Sequence, residues 1–236
     1  MKHIFAVNIG RTKYADAWEL QREVFSARQQ NRIGDVILLT EHDHVYTLGK
    51  AADENHLLAK NEELSKKGVE VFWIDRGGDI TYHGPGQIVG YPILNLNDHY
   101  NDIHRYLREL EEVIIRTLAE YSIVGNRESE FTGVWVRDEK IAALGVKVNK
   151  WVTMHGFALN VNTDLSYFDR IIPCGIFHKG VTSLHELLKK EIDLFDVHHN
   201  LLHHFSHIFK AEIKQISKED LETMLHHNEA VEEKAE

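Results

Sequence analysis

RGGDITYHGPGQIVG, residues 76–90, is the stretch on which the reading of this chain turns. Five of the 15 glycines and one of the three prolines fall inside it, and Pro92 follows two residues later. Glycine serves where the backbone must take positive φ or come close to another group. An apolar, β-rich run precedes the stretch (VEVFWID, 69–75) and another follows it (QIVGYPILNL, 87–96). The stretch is therefore a bend between two strands. Tight turns in a β-meander account for the glycines and the proline alone. Arg76, Asp79, Tyr82, His83 and Gln87 add charge, aromatic surface and hydrogen-bonding groups to the same bend. That combination points to a backbone-lined binding site.

Working outward, HIFAVNIG (3–10) and DVILLTEH (35–42) read as strands, with VYTLG (45–49) a short extended piece. Between the first two, Ala17, Leu20, Val24 and Ala27 fall at helical spacing within 14–32, and Gly34 can end that helix. Residues 57–67 read as a helix closed by Gly68, and Pro92 implies an edge strand or a bulge. The clearest amphipathic helix spans 102–122, with Asp102 as N-cap and Tyr106, Leu110, Val113 and Ile114 on its buried face. Three strand-like segments follow, FTGVWVRD, KIAALGVKV and WVTMHGFALNVN, with turns expected at Asp138-Glu139 and Asn149-Lys150. Residues 163–181 read as irregular. Ser183 and Glu186 form a capping box opening a helix to about Lys190, Asp193 caps a helix to about Lys210, and AEIKQI is a short or edge strand before a final helix capped by Ser217. Strands and helices mix without strict alternation. The expected class is α/β (α+β), a mixed β-sheet flanked by helices. The expected organisation is one domain over 1–236, with room for a small C-terminal helical subdomain, 182–228, and a frayed tail, 229–236.

Composition narrows the classes of function. The net charge of −10 argues against nonspecific nucleic-acid binding. The chain has no run of about 18 apolar residues and no secretory leader pattern, so a cytoplasmic protein that does not enter membranes is expected. One cysteine, Cys174, allows no internal disulfide. Of 17 histidines, five cluster at His198, His199, His203, His204 and His207. His199, His203 and His207 share a helix face, but no cysteine or spaced carboxylate completes a zinc ligand set, so a solvated face and no metal is the expectation. His42 and His44 read as structural or rim residues.

A lone cysteine is more often a small buried hydrophobe than a nucleophile. Cys174, however, lies in IIPCG, where Pro173 stiffens the approach and Gly175 lets the backbone turn away. A thiol with a free pKa of about 8.5 needs a cationic neighbour to attack near neutral pH. His83, His155, His178, Lys140, Lys147 and Lys179 are candidates, and the residues alone do not choose among them.

RGGDITYHGPGQIVGYPILNL, KIAALG (140–145), HGFALNVN (155–162) and IIPCG (171–175), in this order and spacing, resemble the lipoyl(octanoyl) transferases. EHDHVYTLG (41–49) resembles the segment that precedes them in that family, except that His44 stands where a proline is expected, and Asp79 falls where the family varies. The likeness covers roughly residues 35–185 and includes a cysteine 34 residues after the KIAALG lysine. It implies the fold shared by biotin protein ligases and lipoate-protein ligases, and a cysteine/lysine acyltransferase. Cys174 would be the nucleophile and Lys140 the acid/base. Arg76, Gly77, Gly78, Asp79, Ile80, Thr81, Tyr82 and His83 would line an acyl slot with Ala143, Leu144, Gly145, Gly156, Phe157 and Ala158. Amides of Gly77, Gly78 or Gly145 would serve as an oxyanion hole. The implied donor is octanoyl-acyl carrier protein. The implied acceptors are apo lipoyl domains of 2-oxoacid dehydrogenase complexes and the glycine cleavage H protein. No cofactor is implied. Because such partners are acidic, Arg137, Lys147, Lys150 and Lys179 are candidate docking charges.

Overall fold

The computed structural model describes residues 2–128, 131–172 and 180–232. Its strands, in chain order, are β1 (Lys2–Thr12), β2 (Asp35–His42), β3 (Val45–Leu48), β4 (Glu70–Trp73), β5 (Ile80–His83), β6 (Gln87–Ile93), β7 (Val134–Val136), β8 (Glu139–Asn149), β9 (Val152–Asn160), β10 (Gly180–Val181) and β11 (Ala211–Gln215). The large sheet runs β10-β8-β9-β6-β2-β1-β11, with β7 also on β8, and a small sheet runs β4-β3-β5. The large sheet is mixed: β11 and β2 lie parallel to β1, β6 is antiparallel to β2 and β9, and β8 is antiparallel to β9. This is the expected fold class.

The helices are α1 (Tyr14–Gln29), α2 (Asn61–Lys66), α3 (Ile103–Ala119), α4 (Leu184–Leu188), α5 (Leu194–Phe209) and α6 (Lys218–Glu232). They cover both faces of the large sheet. On β2, Ile37 and Leu39 join a core with Leu110 of α3 and Phe205 of α5, while Val36 and Leu38 join Val24 of α1 and Leu221 of α6. A strand buried on both faces has no polar side to show, which is why DVILLTEH reads as an almost unbroken apolar run. The C-terminal elements build on the same frame. β11 adds in parallel to β1 from Lys2↔Ala211 to Ala6↔Gln215, and Leu201, Phe205 and Phe209 pack in one core with Tyr106.

The caps act where the sequence places them. Side chains of Asp102, Ser183, Asp193 and Ser217 accept the amides of Arg105, Glu186, Phe195 and Asp220 at 2.9, 3.1, 2.9 and 3.0 Å. Among the described residues no helix is long and apolar enough to cross a membrane. His199, His203 and His207 lie exposed on α5.

Several boundaries differ from expectation. The helix expected over 57–67 is α2 alone, preceded by a 3-10 turn at Glu54–His56. The β7–β8 turn is Arg137-Asp138, since Glu139 already pairs with Val136, and the β8–β9 turn is Lys150-Trp151, with φ of 49° and 63°. Two left-handed residues match the twist of a two-residue hairpin, so register moved that turn one residue past Asn149. Pro92 lies on an interior strand, not an edge. The β6–β9 ladder stops at Gly90↔Phe157 and resumes where Thr153 N–H donates to Leu94 O at 2.9 Å. Pro92 thus sits in a gap where no N–H is needed. Across that gap His155 takes φ of 59°.

One buried ion cluster ties three elements. Asp35, at the start of β2, accepts Arg28 Nε of α1 at 2.7 Å, His99 Nε2 at 2.7 Å and the Asn95 amide at 2.9 Å. Burial pushes the Asp35 carboxyl up, but the bonds from His99, Arg28 and Asn95 outweigh it and hold it below its ordinary value. Removing one member of a buried pair costs about 3–5 kcal/mol, so Asp35→Ala should lower the unfolding free energy from urea titration by that amount at neutral pH. A depressed folded pKa gives stability that is complete above the unfolded value of about 3.9 and is lost as pH falls through the folded value. The gap between wild type and Asp35→Ala should therefore narrow as unfolding is followed below about pH 4.

Candidate functional site

The bend is held by backbone on two sides. Amides of Gly49, Lys50 and Ala51 donate to the carbonyls of Asp79, Arg76 and Gly78 at 3.3, 3.0 and 3.1 Å, and Gly77 N–H donates to Val146 O of β8 at 3.0 Å. A Cβ on Gly145 would lie 2.7 Å from Gly77 O, and one on Gly49 2.3 Å from Gly78 O. Such approaches exclude any side chain at these two positions. Arg76 is buried, with Nη2 donating to Thr47 O at 2.8 Å and Thr47 Oγ1 at 3.1 Å. Asp79 accepts the Ile80 amide at 2.7 Å and bonds His56 Nδ1 at 2.5 Å.

Held this way, the bend and the small sheet roof one face of the large sheet and leave a cavity. With the open solvent at its mouth included, the space amounts to about 810 Å³. Its floor is a set of side-chain rows across β6, β9 and β8. The first is Gln87 and Asn160, the second Val89, Ala158 and Ala143, the third Tyr91, Gly156 and Gly145. Arg76, Gly78, Asp79, Ile80, Thr81 and His83 line the roof.

Two expected lining residues are elsewhere. Gly77 is not at the cavity, and its amide is taken by Val146, so it cannot serve as an oxyanion donor. Tyr82 is a core residue. Period-two alternation on β5 sends its ring under Tyr46 and Phe168, stacked 4.9 Å from Tyr167, with its hydroxyl 2.7 Å from His44 Nδ1. Leu144 and Phe157 touch the cavity, but they pack with the α3–α5 core. Cys174, His178 and Lys179 lie outside the described residues.

Lys140 lines the cavity and is 7% exposed. Its Nζ lies 3.5 Å from Thr132 O and 4.8 Å from the centre of the Trp135 ring. Two scaffolds hold this corner. The first reaches back from the bend: His83 Nδ1 bonds Gln87 Oε1 at 2.8 Å, Gln87 Nε2 donates to Asn160 Oδ1 at 2.9 Å, Asn160 Nδ2 donates to Thr182 O at 3.0 Å, and Thr182 N–H donates to Lys140 O at 3.0 Å. The second comes from α3. Glu111, fully buried, accepts the Gly133 amide at 3.1 Å and pairs with Arg108 and Arg127 at 2.8 and 3.2 Å. That fixes the turn whose Thr132 carbonyl faces Lys140.

The described residues on either side of 173–179 are bonded to different parts of the site. Ile172 N–H donates to His56 O at 2.8 Å, and Gly180 and Val181 pair with Glu139 and Lys140. Of the other cationic candidates, His83 and His155 line the cavity. Burial lowers His83 to about 3, so it is neutral. Burial also lowers His155, against the opposing pull of Asp75, 2.9 Å from its Nε2. That bond and one from Lys147 at 2.6 Å hold the Asp75 carboxyl well below the usual range. Of the docking charges, Lys147 is tied to Asp75, Arg137 is exposed three residues from Lys140, and Lys150 is exposed at the far end of β8.

Sequence reading missed Tyr14, Ile74, Tyr91, Thr132 and Phe168 as cavity residues. Tyr91 alone carried a signal, since it continues the alternation of Gln87 and Val89.

The model of the family "Lipoyl protein ligase A/B catalytic domain" matches residues 13–206. An octanoyltransferase from Rubrobacter xylanophilus is 55% identical over 201 residues, covering 84% of this chain and 90% of that protein. Among solved structures, a putative lipoate protein ligase from T. acidophilum superposes with a TM-score of 0.74 at 15% identity, covering 96% of this chain and 93% of that one. The biotin protein ligase of Aquifex aeolicus does so with a TM-score of 0.50 at 14% identity, over 89% and 70%. At such identities the structures speak for the fold alone.

Glu111→Ala would leave the buried Gly133 amide unpaired. An orphaned buried donor costs about 1–3 kcal/mol, and the urea midpoint should fall accordingly. An unchanged midpoint would show that Glu111 does not hold this turn.

Proposed function

The chain belongs to the lipoyl protein ligase A/B catalytic-domain family and is an acyltransferase, and on that premise we propose that it moves an octanoyl group from octanoyl-acyl carrier protein to a lysine of lipoyl domains. The acceptors are apo lipoyl domains of 2-oxoacid dehydrogenase complexes and the glycine cleavage H protein. Cys174 carries the group as a thioester and Lys140 moves the protons. The observation that carries the reading is the pairing of Gly180 and Val181 with Glu139 and Lys140, while Ile172 is bonded to His56. One described end of the segment containing Cys174 thus pairs with Lys140, and the other is bonded to His56, which in turn bonds Asp79 of the roof. Cys174 is two residues past Ile172, a tether of about 7 Å.

The steps balance. Lys140 takes the thiol proton, and the thiolate attacks the octanoyl carbonyl. The new C–S bond forms as the bond to the carrier's thiol breaks, and the departing thiolate takes the proton from the Lys140 ammonium. The acceptor's amine then attacks the acyl-enzyme and Lys140 accepts its proton. The C–S bond to Cys174 breaks, and the thiolate is left beside the Lys140 ammonium as at the start. Exchange between thioesters is near balance and thioester to amide runs downhill, so no nucleotide is required. Small residues on the floor, Ala143, Ala158, Gly145 and Gly156, leave a narrow slot suited to a linear acyl chain. Of the docking charges, Arg137 stands on the turn beside Lys140, which favours it for an acidic partner.

Incubation with octanoyl-carrier protein should add one octanoyl group by intact mass, without ATP, and Cys174→Ala should add none. Lys140→Met should slow acylation by about 10²–10⁴-fold, the usual share of a general acid/base. An unmodified wild-type protein, or acylation that depends on ATP, would remove the reading.

A further inference from the structure

The cavity floor has two unlike ends. At the Lys140 end the wall includes Thr132, an exposed residue. At the other end Tyr14, Ile74, Tyr91 and His155 are 2, 7, 3 and 2% exposed. The slot is therefore open beside Lys140 and blind beneath the bend. The distance between the ends follows from the strands. Asn160 and Gly156 are four residues apart on β9, and at about 3.3 Å per residue the rows span about 13 Å. An extended eight-carbon chain, with room for the thioester, is of that order.

The blind end is rich in polar residues, and several of them are turned onto protein partners. Tyr91 Oη lies 2.7 Å from His42 Nε2, and His42 is fully buried, its ring lowered by burial to about 4 and so neutral. His42 Nδ1 lies 3.1 Å from Thr12 O. A carbonyl only accepts, so Nδ1 carries the ring proton and Nε2 accepts from the Tyr91 hydroxyl. Arg76 is turned onto Thr47 and His155 onto Asp75. Ring surfaces, an aliphatic side chain and glycine backbone also face a guest there. Tyr91 is pinned at its tip, and its neighbour Tyr14 packs on His42, ring centres 5.2 Å apart. A wall pinned in this way does not yield to a longer chain.

We infer that Tyr91, fixed by its hydrogen bond to His42, is the end-stop of the slot and sets the length of acyl chain the protein accepts. The assignment rests on the acyltransferase reading above and adds a specificity-determining residue to it. The middle row, Val89, Ala158 and Ala143, is the throat that a chain must pass to reach the stop.

The test uses the full-length protein and carrier protein loaded with C4, C8, C10 or C12 acyl groups, read by intact mass and by transfer rate to a lipoyl domain. One methylene in a fitted apolar pocket is worth roughly tenfold or more. Wild type should favour C8 over C12 by at least that factor. Tyr91→Leu, which removes the ring and the tether, should raise the C12-to-C8 ratio by roughly tenfold or more. Because Tyr91→Leu also leaves His42 without its partner, a second variant works from the throat. Ala158→Leu should lower the C8-to-C4 ratio by roughly tenfold or more while Tyr91 is intact. An unchanged C12-to-C8 ratio in active Tyr91→Leu overturns the assignment and leaves the transferase reading standing. Should Tyr91→Leu fail to fold, an unchanged C8-to-C4 ratio in Ala158→Leu overturns it equally. Wild type that takes no acyl group from any carrier removes the premise itself.

Discussion

Everything at this site depends on one backbone packing: the bend at residues 76–79 wedged between residues 49–51 and β8. Four main-chain bonds make the contact, and glycines at 49 and 145 permit it. Neutral hydrogen bonds are individually worth about 1 kcal/mol, so the bonds alone do not fix the bend. What fixes it is that nothing else fits. A methyl at Gly145 would fall inside the van der Waals radius of Gly77 O, and Arg76 is folded onto Thr47 in the same space. A loop so confined has essentially one position. The cavity is the gap left between that position and the sheet.

Burial also sorts the histidines of the cavity by charge. His42 and His83 sit in the roof and the blind end with lowered pKa values and neutral rings, where an imidazolium would have no counter-ion. His155 has one, Asp75, but gives it a hydrogen bond from a neutral ring rather than a full charge. Lysine 147 completes the charge balance of Asp75 at the rim. Among the described residues of the cavity wall Lys140 is the one lysine. The charged groups of the roof are turned away onto protein partners, Arg76 onto Thr47 and Asp79 onto His56 and the Ile80 amide.

Much of this was legible from residues 76–90 and their echoes. The mixed sheet follows from strands and helices that refuse strict alternation, and the caps at Asp102, Ser183, Asp193 and Ser217 follow from side chains that mimic a missing turn of helix. What escaped is of two kinds. Register moved both hairpin turns by a residue: Val136 already pairs with Glu139 across β7–β8, and pairing of Asn149 with Val152 across β8–β9 leaves Lys150 and Trp151 as the left-handed pair of that turn. Burial direction misassigned Tyr82 and missed Tyr91. Both are tyrosines in glycine-rich strands, and only the sheet's pairing says that one points into the core beneath β3–β5 and the other into the slot. Tyr14 and Thr132 were beyond reach, since each comes from an element with no motif of its own.

The two ends of the slot have opposite mechanical demands, and the fold meets them with different means. In the proposed transfer the blind end measures a chain, and it is built from buried rings and a tyrosine tethered to a histidine on β2, next to β6. In the same proposal the mouth admits a thioester and then a protein lysine. There the fold relies on a short two-residue strand, β10, and on two side-chain relays, one reaching the Lys140 backbone and the other the turn that faces its side chain. The lysine's main chain is thus anchored through Thr182 while its side chain rests on Trp135 and the turn that Glu111 holds. Lys140 is in this way held from two directions, through its own carbonyl and through the turn that faces its side chain.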